Sequence, residues 1–195
     1  MDLSALKALP LGLIMFGVMA WGVIRRRARQ RTAQADYPNL AAKLGLAFRP
    51  PAHPKQIGQI YGTLRGFSVL VDPDDQRKLI VRFRAAPKLD LRSYDGPLCP
   101  KGMAYYSSGE RAVDNYLKTR YASREMALRL DGTDMLQLLQ PFRERYRHDV
   151  KQLNITEHGV TCVLDFGNPP HIPVAAVERL LPALIDWAEA VEPPK

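Results

Sequence analysis

The sequence contains few of the residues from which catalytic and metal sites are usually built. It has only 2 cysteines and 4 histidines among 195 residues. Two cysteines are too few for a disulfide framework. A zinc site needs at least three converging ligands, and nothing in the spacing of the histidines and cysteines suggests one. The sequence therefore predicts no metal site and no disulfide-stabilised fold.

The sequence motifs of common catalytic sites are also missing. There is no phosphate-binding glycine loop and no nucleophile elbow around any serine. The segment "VLDFG" at residues 163–167 matches the Asp-Phe-Gly of protein kinases, but the other kinase motifs are absent, so we interpret it as a strand end with a glycine turn. The "DPDD" segment at residues 72–75 lacks the distant glutamate of a calcium loop and is interpreted as a hairpin turn. These absences favour a non-enzymatic function and predict no cofactor.

One long apolar segment stands out at the amino end. No residue from Ala8 to Ile24 is charged, which gives 17 residues or roughly 25 Å of helix, near the lower limit for crossing a bilayer core. Trp21 lies one turn before a basic cluster, where interfacial aromatic residues are common. The cluster consists of Arg25, Arg26, Arg27, Arg29 and Arg31. The segment predicts a transmembrane helix that anchors the chain in the lipid bilayer, with the arginines contacting anionic lipid headgroups.

Two other interpretations of the apolar segment are weaker. A cleaved signal peptide is supported by the small residues around Val18–Ala20, but its cations belong before the apolar run and not after it. A buried core helix does not normally end in three consecutive arginines. Because the flank richer in arginine stays in the cytoplasm, the prediction is a single-pass membrane protein with its amino terminus outside and the following domain in the cytoplasm.

The rest of the chain predicts one α+β domain, with residues 1–31 as the anchor and residues 32–195 as the domain. Beyond residue 31 there are 22 Lys and Arg against 19 Asp and Glu, so most of the net charge of +8 lies at the amino end. Short segments alternate apolar and polar residues, which predicts an antiparallel sheet with packed helices. Two hairpins are predicted, with turns at Arg65-Gly66 and at His158-Gly159.

Helical segments flank the predicted strands. Asp36 is expected to cap a short helix that ends at Gly45. Two helical segments, residues 122–130 and 134–147, are separated by Gly132. The last segment is predicted to be an amphipathic helix with one buried stripe, because apolar residues recur at three- and four-residue spacing. The stripe consists of Val177, Leu181, Leu184, Ala188 and Val191.

The most suggestive polar segment is "DNYLKTRYASRE" at residues 114–125. It alternates Tyr116 and Tyr121 with Lys118 and Arg120. Aromatic and basic residues together hold single-stranded nucleic acid, but the balanced charge of the domain and the lack of an RNA-binding motif argue against that partner. The same residue types are enriched where proteins bind each other. We therefore predict that these four residues bind a protein partner of unknown identity.

A small enzyme or ligand sensor is the alternative function. It would need a pocket that gathers Asp165, Cys162 and His171. A flat sheet face with exposed aromatic residues would instead favour a binding or scaffolding module. The absence of catalytic motifs makes a membrane-anchored binding or scaffolding module the preferred hypothesis.

The order of several segments resembles a loose group of uncharacterised bacterial membrane-anchored proteins. The segments are "LAAKLGLAF" (40–48), "GTLRGFSVLVD" (62–72), "AVDNYLKTRYAS" (112–123), "LLQPF" (138–142) and "LNITEHGVTCVL" (153–164). The resemblance covers roughly residues 40–191. It implies a mixed α/β domain in the cytoplasm, attached to the bacterial inner membrane, and it implies no catalytic residues.

Overall fold

A computed structural model describes most of the chain. The described residues are 3–74, 76–84, 91–94, 97–115, 117, 119–156, 158–167 and 171–192, with the backbone alone for 3–14, 16, 26 and 112. The elements follow in this order: α1 (Leu3–Leu44), β1 (Ala47–Arg49), β2 (Gln59–Leu64), β3 (Phe67–Asp72), β4 (Lys78–Arg82), β5 (Ser93–Tyr94), β6 (Ala104–Tyr105), α2 (Arg111–Asp114), β7 (Tyr121–Ala122), α3 (Arg124–Asp131), α4 (Met135–Tyr146), β8 (Val150–Thr156), β9 (Gly159–Leu164) and α5 (Val174–Val191).

The larger of the two sheets contains both predicted hairpins. Its six strands are antiparallel and follow the order β1-β2-β3-β4-β9-β8. Arg65 and Gly66 join β2 to β3 with φ angles of 53° and 82°, the backbone that two-residue hairpin turns prefer. In the second hairpin Thr156 pairs with Gly159. Gly159 is thus the first residue of β9 and not a turn residue, so the turn ends one residue earlier than predicted.

One face of the large sheet carries the core of the domain. The helix α5 and the carboxyl end of α1 pack on this face, and α4 covers α5, with the Trp187 indole donating to the carbonyl of Leu138 at 3.1 Å. All five residues of the predicted α5 stripe are fully buried, which confirms that prediction. The buried strand residues beneath them are Ile60, Val69, Val71, Leu79, Val81, Leu153, Ile155, Val160 and Cys162.

Helix α1 is one continuous helix, although the sequence predicted that its residues belong partly to the anchor and partly to the following domain. The short helix capped by Asp36 does not exist separately, because the backbone is helical on both sides of Asp36. The predicted boundary between residues 31 and 32 falls within the same helix. Its last turns belong to the core: Tyr37 is fully buried, and its phenol donates to the carbonyl of Ile172 at 2.7 Å.

The structure contradicts the predicted transmembrane anchor. Among the residues whose placement is described, no helix is both long enough and apolar enough to cross a membrane. The apolar run is at the lower limit of spanning length and includes Pro10, and α1 continues beyond it through the arginines as a polar helix. The prediction of a single-pass protein of the bacterial inner membrane is wrong with it, and the topology derived from the anchor, with the amino terminus outside and the domain in the cytoplasm, loses its basis.

A small sheet is inserted between β4 and β8. It holds β5, β7 and β6 in that order, all antiparallel and each two residues long. Its inner side is tied to the large sheet, because Ala122 is buried and the Ser93 hydroxyl donates to the carbonyl of Ile155 in β8. A backbone bridge from Leu117 to Leu153 adds a second connection.

Candidate partner-binding surface

Three tyrosines lie side by side on the small sheet. Tyr94 of β5 pairs with Tyr121 of β7, and Tyr121 pairs with Tyr105 of β6. Directly paired residues of an antiparallel sheet project from the same face, so the three rings form one line across the strands. We call Tyr94, Tyr121 and Tyr105 the tyrosine row.

The tyrosine row is on the outer side of the small sheet. Tyr105 is 74% exposed and Tyr94 is 44% exposed, while Tyr121 is half-buried between them. The rings of Tyr105 and Tyr121 meet edge to face with their centroids 6.3 Å apart, a favourable aromatic geometry that holds one ring against the other. Within the described part of the chain, none of the three phenol hydroxyls has a hydrogen-bond partner. The row therefore offers both apolar ring area and unused hydroxyl groups.

Arg120 lies next to the central tyrosine and is exposed. Its backbone is held from both sides, since its N–H donates to the Tyr94 carbonyl at 3.0 Å and its carbonyl accepts from the Tyr106 N–H at 3.0 Å. With respect to the residues that the structure describes, its guanidinium forms no ion pair. It borders a hollow of about 390 Å³ that is also lined by Tyr105 and Asp114.

Asp114 is the acidic residue that lines the hollow at Arg120, and its carboxylate oxygens accept hydrogen bonds from nearby serines. The hydroxyls of Ser107 and Ser108 donate to its carboxylate at 2.7 and 2.6 Å, and the Ser108 N–H donates at 2.9 Å. Burial raises the pKa of the Asp114 carboxyl, but the donors from Ser108 and Ser107 outweigh burial and bring the pKa below its ordinary value. Asp114 therefore stays ionised with its carboxylate oxygens engaged by Ser107 and Ser108, and Arg120 is the positively charged residue that lines the same hollow.

A second hollow lies at the opposite end of the tyrosine row, beside Tyr94. Its volume is about 630 Å³. Leu98, Pro100 and Met103 form apolar walls, and the end of the β8–β9 hairpin contributes Thr156. Leu98 is 78% exposed. The second hollow thus adjoins Tyr94 on one edge strand of the small sheet, whereas the hollow at Arg120 adjoins Tyr105 on the other edge strand.

The two cysteines have opposite environments. Cys99 is exposed and lines the hollow beside Tyr94, with its sulfur 3.2 Å from the carbonyl of Met103. Cys162 is completely buried in the core face of the large sheet, and burial raises the pKa of its thiol to about 12. A thiol that stays protonated in the core is not an activated nucleophile.

The other two residues named for the enzyme alternative also make structural contacts. Asp165 pairs with Arg77 at 2.5 Å and with Lys151 at 2.6 Å. His171 is buried. Burial is the main cause that lowers the pKa of the His171 side chain, and the nearby positive charges of Arg29 and Arg77 lower this pKa further. Neither side chain is presented at either hollow described above. Among the described residues, no group of three His, Cys, Asp or Glu side chains is placed to hold a metal ion.

Two of the four predicted partner-binding residues can be located. Arg120 and Tyr121 lie at the centre of the surface, whereas Tyr116 and Lys118 lie outside the described residues. Sequence reasoning missed Tyr94 and Tyr105, because strands of two residues are too short to show an alternating pattern.

The basic cluster predicted to contact anionic lipid headgroups lies on α1 before the helix joins the core. Arg29 is half-buried near His171, and the side chain of Arg26 lies outside the described residues. The exposed residues of the predicted interface are Trp21, Arg25, Arg27 and Arg31. Nothing in the structure tests the headgroup contact, which stays a prediction.

Comparisons of the chain with protein-family models, with curated proteins and with solved structures found no match. The resemblance to bacterial membrane-anchored proteins is therefore untested and stays a prediction. Function must be inferred from the geometry of this chain alone.

Proposed function

We propose that this protein is a non-enzymatic binding module that captures a partner protein on the tyrosine row. The observation that carries the proposal is the row itself, in which three tyrosines in cross-strand register lie on the outer side of the small sheet. Tyrosine and arginine are among the residues that contribute most binding energy at protein interfaces. A tyrosine ring supplies a large contact area and loses little conformational entropy when it is fixed.

A protein partner fits this surface better than nucleic acid does. Nucleic-acid binding draws most of its affinity from a track of cations along the phosphates, with about 6–10 contacts in strong binders. Here Arg120 lies beside the row and forms no ion pair with the residues that the structure describes, and beyond residue 31 the chain has 22 basic against 19 acidic residues. An arginine beside aromatic rings, without a large excess of cations, is typical of a compact interface centre between proteins.

The tyrosine row is also separable from the folding core. The small sheet is attached through its opposite side, by the buried Ala122 and by the Ser93 hydrogen bond to β8. Removing an outer ring therefore leaves these attachments in place. The variants that test binding should remain folded.

The test is a selection of random peptides of about 12 residues, displayed on phage, against the full-length chain. We expect enriched peptides to lose roughly tenfold or more in affinity when Tyr121→Ala or Arg120→Ala is introduced, as hot-spot residues do. Tyr61→Ala is the matched control, because Tyr61 is an exposed tyrosine on the large sheet. Its affinity for the same peptides should equal that of the wild type.

Two outcomes would contradict the proposal. One is a selection in which no enriched peptide depends on Tyr121 or Arg120. The other is a large loss of thermal stability in both variants, because the two side chains would then belong to the core and not to a binding surface.

A further inference from the structure

We infer that the hollow beside Tyr94 is the anchor subsite of this surface: it takes a large apolar side chain from an extended partner segment, and a carboxylate of the same segment, about three to five residues away, pairs with Arg120. The inference rests on the proposed function, since it assumes that the segment lies along the tyrosine row. It adds which side chains the partner segment must carry and how far apart they must be.

The walls of the hollow select an apolar side chain. Leu98, Pro100 and Met103 line it, and Met adapts its shape readily to what it contacts. The volume of about 630 Å³ lies within the roughly 300–1,000 Å³ of pockets that bury small ligands, so even an indole ring fits. Burying a side chain such as Leu or Phe there removes apolar surface from water, which favours binding.

The polar groups of the hollow do not require a polar ligand. The Ser93 hydroxyl already donates to the carbonyl of Ile155, and the Thr156 hydroxyl donates to the carbonyl of Gly159. Arg92 and His158 also line the hollow and are engaged in other interactions of the chain. Because the two hydroxyls are already hydrogen-bonded, an apolar side chain can enter without leaving them unsatisfied.

The spacing along the partner follows from the width of the small sheet. Neighbouring strands are about 4.8 Å apart, so the row from Tyr94 to Tyr105 spans roughly 10 Å. An extended chain advances about 3.3 Å per residue, and the anchor and the carboxylate lie slightly beyond the two ends of the row. The two side chains should therefore be about three to five residues apart.

The second contact, between Arg120 and a carboxylate of the partner segment, follows from charge complementarity. Arg120 is exposed beside the central Tyr121 and borders the hollow that Tyr105 also lines, and within the described residues its guanidinium has no acidic partner. A carboxylate matches the planar fork of a guanidinium with two parallel hydrogen bonds. Asp114 forms no ion pair with Arg120 in the structure; its carboxylate accepts instead from the hydroxyls of Ser107 and Ser108.

The experiment uses synthetic peptides of about 12 residues that contain one Trp and one Glu in a serine- and proline-rich background. The separation of Trp and Glu is varied from one to eight residues, in both orders, and affinity for the full-length chain is measured by fluorescence anisotropy. We expect affinity to peak at a separation of three to five. Replacing Trp with Ala should weaken binding roughly tenfold, and replacing Glu with Gln should weaken binding to the wild type but not to Arg120→Ala.

Two further measurements locate the anchor. Leu98→Asp places a charge at the hollow and should weaken binding, whereas Leu128→Asp, at another largely exposed leucine on α3, should not. Cys99 is a reporter within the hollow, because its thiol is exposed there. The bound Trp peptide should slow alkylation of Cys99 by N-ethylmaleimide several-fold, and the Ala peptide should not.

The outcomes separate this inference from the proposed function. Peptides that need Tyr121 but not Trp, and that leave the alkylation of Cys99 unchanged, would overturn the anchor subsite and keep the row as the docking surface. Failure of every peptide in the series to bind would overturn the combined apolar and acidic recognition, while the random selection still tests the row. Peptides that bind Tyr121→Ala as well as the wild type would overturn both.

Discussion

The large sheet and the small sheet divide stability and recognition between them. Strands β2, β3, β4, β8 and β9 have five to seven residues each, and their alternate side chains are buried under α5. The strands of the small sheet have two residues each, and its outer row is exposed. The large sheet buries its alternate side chains in the core, whereas the small sheet exposes the side chains of its outer face to solvent.

The small sheet depends on the large one for its existence. Two-residue strands bury too little surface to be stable alone, and the contacts of Ser93 and Leu117 with β8 supply the support. A rigid scaffold that holds side chains at its surface is the usual arrangement for binding sites. Substitutions in the two sheets should therefore have different consequences.

The largest expected contrast is between the two thiols. Cys99 should react with an aromatic disulfide reagent at pH 8 more than about a thousandfold faster than Cys162, because a fully buried thiol reacts only when the chain opens. Burial also raises the pKa of Cys162 to about 12, which keeps the thiolate population small. Spectrophotometric titration should give one fast thiol in the native chain and two in urea; two fast native thiols would remove the distinction between the sheets.

The second contrast concerns α5, the helix that packs on the large sheet, and an exposed position on α3. Leu184→Ala on α5 removes a fully buried side chain and should lower the free energy of unfolding by about 2–5 kcal/mol. Leu128→Ala on α3 is the control, since Leu128 is 64% exposed, and its effect should stay within about 0.5 kcal/mol. Urea denaturation measures both. Equal effects would show that the buried face of α5 has been misassigned.

A third change probes the closest approach within the large sheet. Gly159 has a φ of 144°, and a Cβ there would lie 2.1 Å from the Val81 carbonyl oxygen. Gly159→Ala should therefore destabilise the chain by about 2–4 kcal/mol, from steric overlap and backbone strain together. At Gly109, φ is 78° and the space around a Cβ is open, so Gly109→Ala isolates the backbone term. A smaller loss for Gly159 than for Gly109 would refute the close contact.

A weaker effect is expected at the ion pairs between the first hairpin and α5. Arg65 contacts Asp186 at 2.7 Å and Glu189 at 2.5 Å, but all three side chains are partly solvent-exposed. Arg65→Ala should cost roughly 0.2–1 kcal/mol, and the cost should shrink in high salt because exposed pairs are screened. Thermal unfolding at low and high salt checks this, and a salt-independent cost would point to packing of the arginine stem instead.

The smallest expected effect is on the tyrosine row. Tyr105→Ala removes a ring that is 74% exposed and should change the free energy of unfolding by less than about 0.5 kcal/mol, apart from its edge contact with Tyr121. The same variant should weaken binding of the selected peptides. A stability loss comparable to that of Leu184→Ala would mean that the two sheets do not divide their roles.

Predictions from the sequence succeeded where the pattern is local. The turn at Arg65-Gly66, the helices on either side of Gly132 and the buried stripe of α5 were all predicted, and the structure confirms them. Each depends on neighbouring residues or on a helical period. Prediction failed for α1, where local caps and charges suggested an anchor and a separate short helix, and the chain instead forms one helix that docks by Tyr37.

The candidate surface was only partly predictable for the same reason. Arg120 and Tyr121 were identified because they are adjacent in a segment rich in aromatic and basic residues. Tyr94 and Tyr105 come from other segments, and only the pairing of β5 and β6 with β7 brings them together. The environments of Asp165, Cys162 and His171, the residues of the alternative function, also depend on the tertiary structure. Cys162 and His171 are buried, and Asp165 forms an ion pair with Arg77.

The sequence by itself determined the hairpin at Arg65-Gly66, the helices on either side of Gly132 and which face of α5 is buried, because hydrophobic periodicity and turn residues act over a few residues. Only the tertiary structure decided that three distant tyrosines stand in one row between two hollows, and that one cysteine is exposed while the other is in the core. Those relations depend on strand register between segments far apart in the chain. Register is set by the packing of the whole fold, and no local pattern records it.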